Sequence, residues 1–377
     1  KGENAQDTGT PRGQEAVPDT PDMEAGQERN RRNETPMAQE YYYGQMSREE
    51  QEAYRGMFAG FCEIASEISV RRLDNRQLSD VFFRLRLDHP EIFYVESFQY
   101  RFTEDSQYVR MKPSYMFEKK KIKEHQKALE GRINRLTRQA QGKTKEEAEQ
   151  FIHDFICENV TYDKLKKQYS HEIIGPLQQG VGVCEGIAKT VKILCDRLNI
   201  ECIIAVSEAA PDQGVKYRHA WNVVKPGKTW YHLDATFDNS LGRYGAARFD
   251  YFNLGDRELF RDHQKLLYPV PACPDSGSFY YREQRLSLTK EEDVARRLKT
   301  ALRKKQPYFV FHWRGGKLNR ELVRFFYEEA CRTAEEKGKF AALSVNVPQS
   351  VIEIAIRDRQ AEKEIQEEEA NEGELTE

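Results

Sequence analysis

One cysteine stands in a local sequence that suits nucleophilic catalysis. Cys184 follows a glycine-containing segment at residues 180–182 and begins a stretch with helical periodicity. At a helix N-terminus, the helix dipole and free backbone N–H groups favour a thiolate and can stabilise an oxyanion. The other six cysteines lack this setting, and three of them lie in apolar runs typical of core packing, namely Cys157, Cys195 and Cys202. Taken alone, the pattern at Cys184 fits a tight turn equally well.

A histidine and an aspartate on two successive predicted strands complete a possible triad. His219 lies seven residues before Pro226, and Asp234 lies seven residues after Gly227. If Pro226 and Gly227 form the turn of a hairpin, the two side chains lie close to opposite each other. A carboxylate in that position orients an imidazole, which in turn accepts the proton of a nucleophilic thiol. The predicted catalytic residues are therefore Cys184, His219 and Asp234.

The sequence around these three residues resembles the transglutaminase-like superfamily, and within it the bacterial members. The resemblance covers residues 75–262 and rests on three motifs. They are a cysteine at a helix start within residues 183–206, a His-X-Trp-Asn strand within residues 218–224, and an aspartate before Ala-Thr within residues 229–240. It implies a papain-like fold in which Cys184 is the nucleophile, His219 its base and Asp234 the residue that orients the base. It also implies a peptide or protein substrate.

The chain departs from the protein-crosslinking members at several positions. Those members have Gly-Gln-Cys-Trp at the nucleophile, whereas this chain has Gly-Val-Cys-Glu, and no tryptophan precedes Trp221 to serve near the oxyanion. Tyr162 and Gln178 are the two candidates for that role, Gln178 because it lies six residues before Cys184, as in papain-like proteases. Trp221 and Glu185 are candidates for the wall of the substrate cleft, with core packing as the alternative for Trp221.

These features predict an acyl-transfer enzyme that hydrolyses peptide or amide bonds through a thioacyl intermediate. Two alternatives stay open. The same triad serves protein crosslinking or amine transfer when an amine replaces water as the acceptor. Papain-like folds also persist as non-catalytic modules that bind peptides or act as envelope scaffolds. A further hypothesis is that the C-terminal region supplies binding specificity.

The elements that position the triad belong to an α+β chain, with a papain-like transglutaminase core between two smaller regions. Residues 1–40 contain no aromatic residue and one β-branched aliphatic residue, which predicts a disordered leader or tether. Four predicted regions follow. Residues 41–141 form an N-terminal helical and β-hairpin domain, and residues 142–268 form the catalytic core. Residues 280–358 form a small C-terminal α/β domain, and residues 359–377 form an acidic disordered tail.

Periodicity and capping signals predict the individual elements. The predicted helices are residues 47–70, 75–87, 117–141, 145–160, 183–198 and 318–337. The predicted strands are residues 93–102, 108–112, 201–207, 217–224, 229–236, 308–313, 341–347 and 351–356.

Composition excludes several classes of function. The formal net charge is -3, so no global basic field points to nucleic acid. No run of about 18 apolar residues is present, so no membrane span is expected. The seven cysteines form no CxxC pair, and His153, His171 and His263 show no metal-ligand spacing. We therefore expect no metal and no cofactor.

The sequence begins at Lys1 rather than at a methionine. This leads to the expectation that an N-terminal signal or anchor has been removed. Together with the polar leader and the resemblance to bacterial proteins, it favours an extracellular or envelope-tethered location and leaves a cytoplasmic one open.

Overall fold

The computed structural model of the protein describes residues 40–358. The predicted disordered leader, apart from Glu40, and the predicted acidic tail lie outside these residues. Helices and strands are mixed along the described chain, and the strands form three larger sheets and one short parallel pair. Among the described helices, none combines the length and the apolar composition needed to cross a bilayer.

The described N-terminal residues form three α-helices and a three-stranded sheet of order β1-β3-β2. The elements are α1 (Arg48–Cys62), β1 (Ile68–Arg71), α2 (Asn75–Asp88), β2 (Val95–Arg101), β3 (Tyr108–Tyr115) and α3 (Lys119–Gln139). The predicted hairpin is present as the antiparallel pair β2 and β3. Ser47 and Glu50 form the predicted capping box at the start of α1.

The predicted helix at residues 47–70 is wrong beyond Cys62. The chain leaves the helix at Ile64, whose φ of 52° lies in the left-handed region. Ile68 and Val70 are buried while Ser69 between them is exposed, which is the period-two pattern of a strand. This segment therefore becomes β1 and pairs antiparallel with β3.

The predicted catalytic core, called the core below, consists of helices packed around a four-stranded antiparallel sheet of order β6-β7-β8-β9. Its elements are α4 (Lys145–Asn159), β4 (Thr161–Tyr162), β5 (Val181–Gly182), α5 (Cys184–Arg197), β6 (Glu201–Val206), β7 (Ala220–Lys225), β8 (Tyr231–Leu233), α6 (Ala235–Gly242), β9 (Phe252–Leu254) and α7 (Asp256–Leu259). Buried Ile187, Val191 and Leu194 confirm the predicted apolar face of α5. The predicted strand at residues 229–236 is shorter than expected, because the chain turns into α6 after Leu233.

The C-terminal module has a four-stranded sheet of order β10-β11-β13-β12. After the short helix α8 (Tyr280–Glu283), its elements are β10 (Ser287–Leu288), α9 (Glu291–Arg303), β11 (Tyr308–Trp313), α10 (Arg320–Glu335), β12 (Phe340–Asn346) and β13 (Val351–Arg357). The predicted strand–helix–strand–strand order is present from β11 onward. The prediction missed β10 and α9, although Val294, Leu298 and Ala301 form a buried helical stripe in α9.

Buried apolar side chains form two clusters. The larger cluster runs from Tyr42 to Tyr281 and joins the N-terminal region to the core. The smaller cluster lies within residues 288–356 and belongs to the C-terminal module. Val351 of β13 is part of the larger cluster, so the module also contacts the core through apolar packing.

We expect Gly186→Ala to lower the free energy of unfolding by about 1–3 kcal/mol, because a Cβ there would overpack the start of α5. That Cβ would lie 2.2 Å from the carbonyl oxygen of Ser170. Gly131→Ala in α3 is the matched control, since the nearest atom to its Cβ would be 3.5 Å away. The control should raise stability by about 0.5–1 kcal/mol. Urea unfolding measures both, and equal effects would contradict the steric argument.

Candidate active site

Cys184 is the first residue of α5, as predicted, and its side chain is half-buried. The residues before it are fixed by a short parallel pair in which Thr161 faces Val181 and Tyr162 faces Gly182. Gly180 turns the chain into this pair at a φ of 66°, a conformation that glycine adopts readily. The sulfur therefore lies at a helix N-terminus that neighbouring strands hold in position.

A buried network of charges lies behind the first turn of α5. Lys189 is fully buried and lies 2.7 Å from Glu185 and 2.8 Å from Glu172. Arg86 forms a second ion pair with Glu172. Burial opposes ionisation of Glu185, but the nearby charge of Lys189 holds the pKa of this carboxyl well below its usual range. Glu185, predicted as cleft wall, thus joins α5 to the preceding loop beside Cys184.

His219 lies just before β7 and connects the thiol with the aspartate. Its Nε2 is 2.6 Å from Oδ2 of Asp234, and the side chain of Cys184 lies close enough to the imidazole to contribute to its raised pKa. Burial alone would lower the pKa of His219, but the charge of Asp234 and the hydrogen bonds to Asp234 and Cys184 raise it to about 10. The imidazole therefore carries a proton at neutral pH. The structure brings all three predicted catalytic residues together.

The strand register differs from the one assumed in the sequence analysis. Asn222 pairs with Leu233, and continuing this register would place Thr236 opposite His219. Both His219 and Asp234 lie beyond the paired residues, because β8 ends at Leu233. Asp234 reaches His219 from the start of α6 and not from a facing strand position.

Asp234 is completely buried, and both of its carboxylate oxygens are occupied. Oδ1 accepts hydrogen bonds of 3.0 Å from the backbone N–H groups of Thr236 and Phe237, which caps α6. Oδ2 lies 2.6 Å from Nε2 of His219 and 2.9 Å from Nε2 of His263. Burial opposes the ionised form, but His219 and His263 hold the pKa of Asp234 well below its usual range.

His263 is the functional residue that the sequence analysis missed. Its Nε2 contacts Asp234, and its Nδ1 lies 2.9 Å from Oδ1 of Asp262. Burial opposes the imidazolium form of His263. The carboxylates of Asp234 and Asp262 at its two ring nitrogens favour that form and raise the pKa of His263. No local motif marks this residue, since it lies in a loop far along the chain from Asp234.

The Trp-Asn pair after His219 fixes β7 within the core. Trp221 is 1% exposed, stacks against the ring of His219 at 5.8 Å and donates Nε1–H to Nδ1 of His232 at 3.0 Å. Asn222 donates to the backbone oxygen of Ala188 in α5 at 2.9 Å. Of the two alternatives for Trp221, core packing describes its position, because its ring lies in the core behind His219, where burial and the indole hydrogen bond retain it.

The two oxyanion candidates have different surroundings. Burial raises the pKa of Tyr162, and the neighbouring charges of Cys184 and Asp163 add to this effect. Tyr162 pairs with Gly182, two residues before Cys184. The side-chain oxygen of Gln178 lies 3.0 Å from Nδ1 of His125 in α3. Gln178 belongs to the π-helical turn Gly175–Gln179, and its side-chain oxygen faces α3 through the contact with His125.

Among residues 40–358, two groups of side chains have the composition and spacing of a metal site. They are His219 with Asp234 and His263, and His232 with Asp256 and Cys273, with the potential ligand atoms within 4.8 Å of one another in each group. In the first group both histidine–aspartate distances are those of hydrogen bonds. In the second group His232 lies 2.8 Å from Asp256. Protons account for these contacts, and no step below depends on a metal.

Comparisons with known proteins identify the central part of the chain. Residues 132–235 match the family model of the transglutaminase-like superfamily, which confirms the resemblance over less than a third of the chain. The matched range contains Cys184, His219 and Asp234. This range is similar to the transglutaminase-like superfamily, and the mixed helices and strands confirm the predicted α+β class. This superfamily is associated with cysteine-based enzymes. A comparison with curated proteins finds no match.

Two solved structures are similar to parts of the chain. A crystal structure of a TGase aligns with a TM-score of 0.26 and 12% identity, over 45% of this chain and 50% of that one. A protein from Cytophaga hutchinsonii, described as a proposed cysteine protease, aligns with a TM-score of 0.23 and 16% identity, over 37% of this chain and 61% of that one. The chain thus spans less than two thirds of the length of either protein.

The pairing of His219 with Cys184 predicts selective alkylation of that cysteine. Because the imidazolium persists until the pH approaches about 10, Cys184 should react with iodoacetamide about tenfold or more faster than Cys331 between about pH 6 and pH 7. His219→Ala should remove this advantage. Mass spectrometry of each cysteine measures the rates. Equal rates for Cys184 and Cys331 in the unmodified protein would contradict the pairing.

The second imidazole on Asp234 predicts a positioning role for His263. His263→Leu removes one donor from a buried carboxylate and should lower the free energy of unfolding by about 1–3 kcal/mol. It should also slow the alkylation of Cys184 several-fold, because Asp234 then orients His219 less firmly. His263→Gln retains a donor and should restore part of the alkylation rate. Loss of stability without any change in that rate would limit His263 to a structural role.

Proposed function

We propose that the protein is a cysteine-nucleophile enzyme that hydrolyses peptide or amide bonds, with a peptide or protein as substrate. The observation that carries this proposal is the position of His219 between two partners. One partner is the thiol of Cys184 at a helix N-terminus, and the other is the fully buried carboxylate of Asp234 at 2.6 Å. This arrangement has the parts that covalent acyl transfer requires.

The reaction proceeds in two halves. The sulfur of Cys184 attacks the carbonyl carbon, the C–N bond breaks, and His219 gives its proton to the leaving amine. A thioester remains on Cys184. His219 then takes a proton from water, whose oxygen attacks the thioester carbon, and the C–S bond breaks to release a carboxylate product. His219 ends with the proton it had at the start, and Cys184 is again free to react.

Other residues orient the reacting groups and stabilise charge. Asp234 keeps the imidazole in one orientation and stabilises its protonated form. The first backbone N–H groups of α5 have no partner within the helix, and we assign them to the oxyanion. The hydroxyl of Tyr162, close to Cys184, is our candidate for an additional oxyanion donor. Gln178 is the second candidate, because its oxygen contacts His125 while its buried Nε2, the only donor of this side chain, has no partner among the described residues.

The sequence beside the nucleophile supports water as the acceptor. The crosslinking members of the resembled family have tryptophan after the cysteine, and this chain has Glu185, which pairs with buried Lys189. No tryptophan precedes Trp221 in the sequence, and Trp221 itself lies in the core. The surroundings of Cys184 therefore lack the aromatic residues associated with amine acceptors in that family. Amine transfer is the alternative outcome of the test below.

The test offers water and an amine in the same reaction. A library of short peptides containing glutamine and internal amide bonds is incubated with the protein in water enriched in oxygen-18, with glycine ethyl ester as the amine. We expect new carboxylates that contain oxygen-18, and their loss in Cys184→Ala. Cys331→Ala, in the C-terminal module, is the matched control and should retain turnover.

Each other outcome points to a different function. Products that carry the amine in place of labelled oxygen would support protein crosslinking or amine transfer. Trapping of a thioester on Cys184 without release of product would indicate that the peptide library lacks the proper acceptor. Absence of both products and thioester, in a protein whose Cys184 is reactive towards iodoacetamide, would contradict peptide hydrolysis and favour the peptide-binding module.

A further inference from the structure

A cavity of about 500 Å³ lies where the core meets the C-terminal module. The core contributes lining residues within 254–261 and 276–282, and the module contributes residues within 312–317 and 349–350. This volume suits a small molecule, and ligand sites often occur where two domains meet. None of Cys184, His219 and Asp234 lines it, so the cavity is separate from the candidate active site.

The cavity is strongly basic. Its lining contains one carboxylate, Glu258, and five cationic side chains, which are Arg257, Arg261, Arg282, Arg314 and Lys317. Glu258 accepts a hydrogen bond of 2.8 Å from Ser276 and lies 3.7 Å from Arg261. Within residues 40–358, the other four cations form no ion pair with an acidic side chain. Clustered positive charges repel one another, and a bound anion would relieve this repulsion.

A buried hydrogen-bond donor in the same lining has no partner. Trp313 is 4% exposed, and its Nε1–H is shielded from solvent and donates to no acceptor among the described residues. The ring is fixed by Phe326 at 5.2 Å and by Gly315, where a Cβ would lie 2.2 Å from the indole. An indole N–H can only donate, so the missing partner must be an acceptor. A bound oxyanion supplies one.

The histidine next to Trp313 reflects the same positive environment. His312 is 8% exposed and its Nδ1 lies 2.7 Å from Oγ of Ser287. Burial, followed by the charges of Arg282, Arg314 and Arg261, lowers the pKa of His312 to about 4. The imidazole is therefore neutral at pH 7.

A second cavity of about 520 Å³ adjoins the first. Arg282 and Arg314 line both cavities, and Arg285 and Arg297 line the second one only. Guanidinium groups match the oxygens of phosphate in paired hydrogen bonds. We propose that the two cavities together bind a small molecule that carries at least two phosphate groups. This proposal goes beyond the proposed function and does not depend on it.

Titration of the full-length protein with inorganic pyrophosphate, followed by calorimetry, tests the site directly. We expect saturable binding that weakens steeply as the ionic strength rises from about 0.05 M to about 0.5 M, because salt screens the arginines. Citrate, titrated in parallel, supplies a polyanion of similar charge without phosphate. It should bind at least about tenfold more weakly, because each phosphate offers the arginines three strong acceptor oxygens and each carboxylate only two.

Substitutions at the shared arginines locate the binding. The double variant Arg282→Gln with Arg314→Gln should bind pyrophosphate about tenfold or more weakly, since hydrogen bonds to charged groups carry much of the affinity. Arg296→Gln is the matched control, because Arg296 adjoins Arg297 in sequence, pairs with Asp293 at 2.6 Å and lines neither cavity. Trp313→Phe retains the ring, removes the donor and should weaken binding several-fold.

The outcomes separate clearly. Binding that falls in the double variant and in Trp313→Phe, but not in Arg296→Gln, supports the site. Absence of saturable heat with pyrophosphate at the low ionic strength overturns it, as does equal binding by the double variant and the control. Binding of citrate as tight as that of pyrophosphate overturns the assignment to phosphate. These measurements use no substrate of Cys184, so they stand whatever the test of hydrolysis gives.

Discussion

The buried carboxylate of Asp234 is the group on which the candidate active site depends. A fully buried charge is stable only when hydrogen bonds and opposite charges replace its hydration. Asp234 receives four such contacts, two from the backbone at the start of α6 and two from the imidazoles of His219 and His263. The same carboxylate therefore ends β8, begins α6 and orients the histidine that faces Cys184. Its burial strengthens each of these contacts.

The remaining core brings α5 to this carboxylate and keeps it there. The side chain of Asn222 ties β7 to the backbone of α5. This contact keeps a fixed distance between β7, which directly follows His219, and α5, which begins with Cys184. Gly186 lets the first turn of α5 approach the loop at Ser170. The ion pairs of Lys189 then fix that turn from behind. Each contact is modest, and together they leave Cys184 and His219 facing each other.

The C-terminal module takes part in the same network. Asp262, which contacts His263, also lies 2.6 Å from the hydroxyl of Tyr251 and 3.3 Å from Nε2 of Gln349 in the turn between β12 and β13. Gln349 lines the basic cavity as well. Contacts between side chains thus run from Asp234 through His263 and Asp262 to the module. The basic cavity lies beside this route, at the junction of core and module.

The sequence by itself determined the parts that depend on neighbours along the chain. A glycine-containing turn before an amphipathic stretch was enough to place Cys184 at a helix start, and the His-X-Trp-Asn and Asp-Ala-Thr patterns identified His219 and Asp234. Alternation and capping residues gave most helices and strands, but not the break at Ile64 or the end of β8 at Leu233. Only the tertiary structure decided the offset between His219 and Asp234, the second imidazole from His263, the burial of Trp221 and the cluster of arginines. These features join residues far apart in sequence, and local periodicity carries no information about which distant side chains will share a buried carboxylate or a cavity.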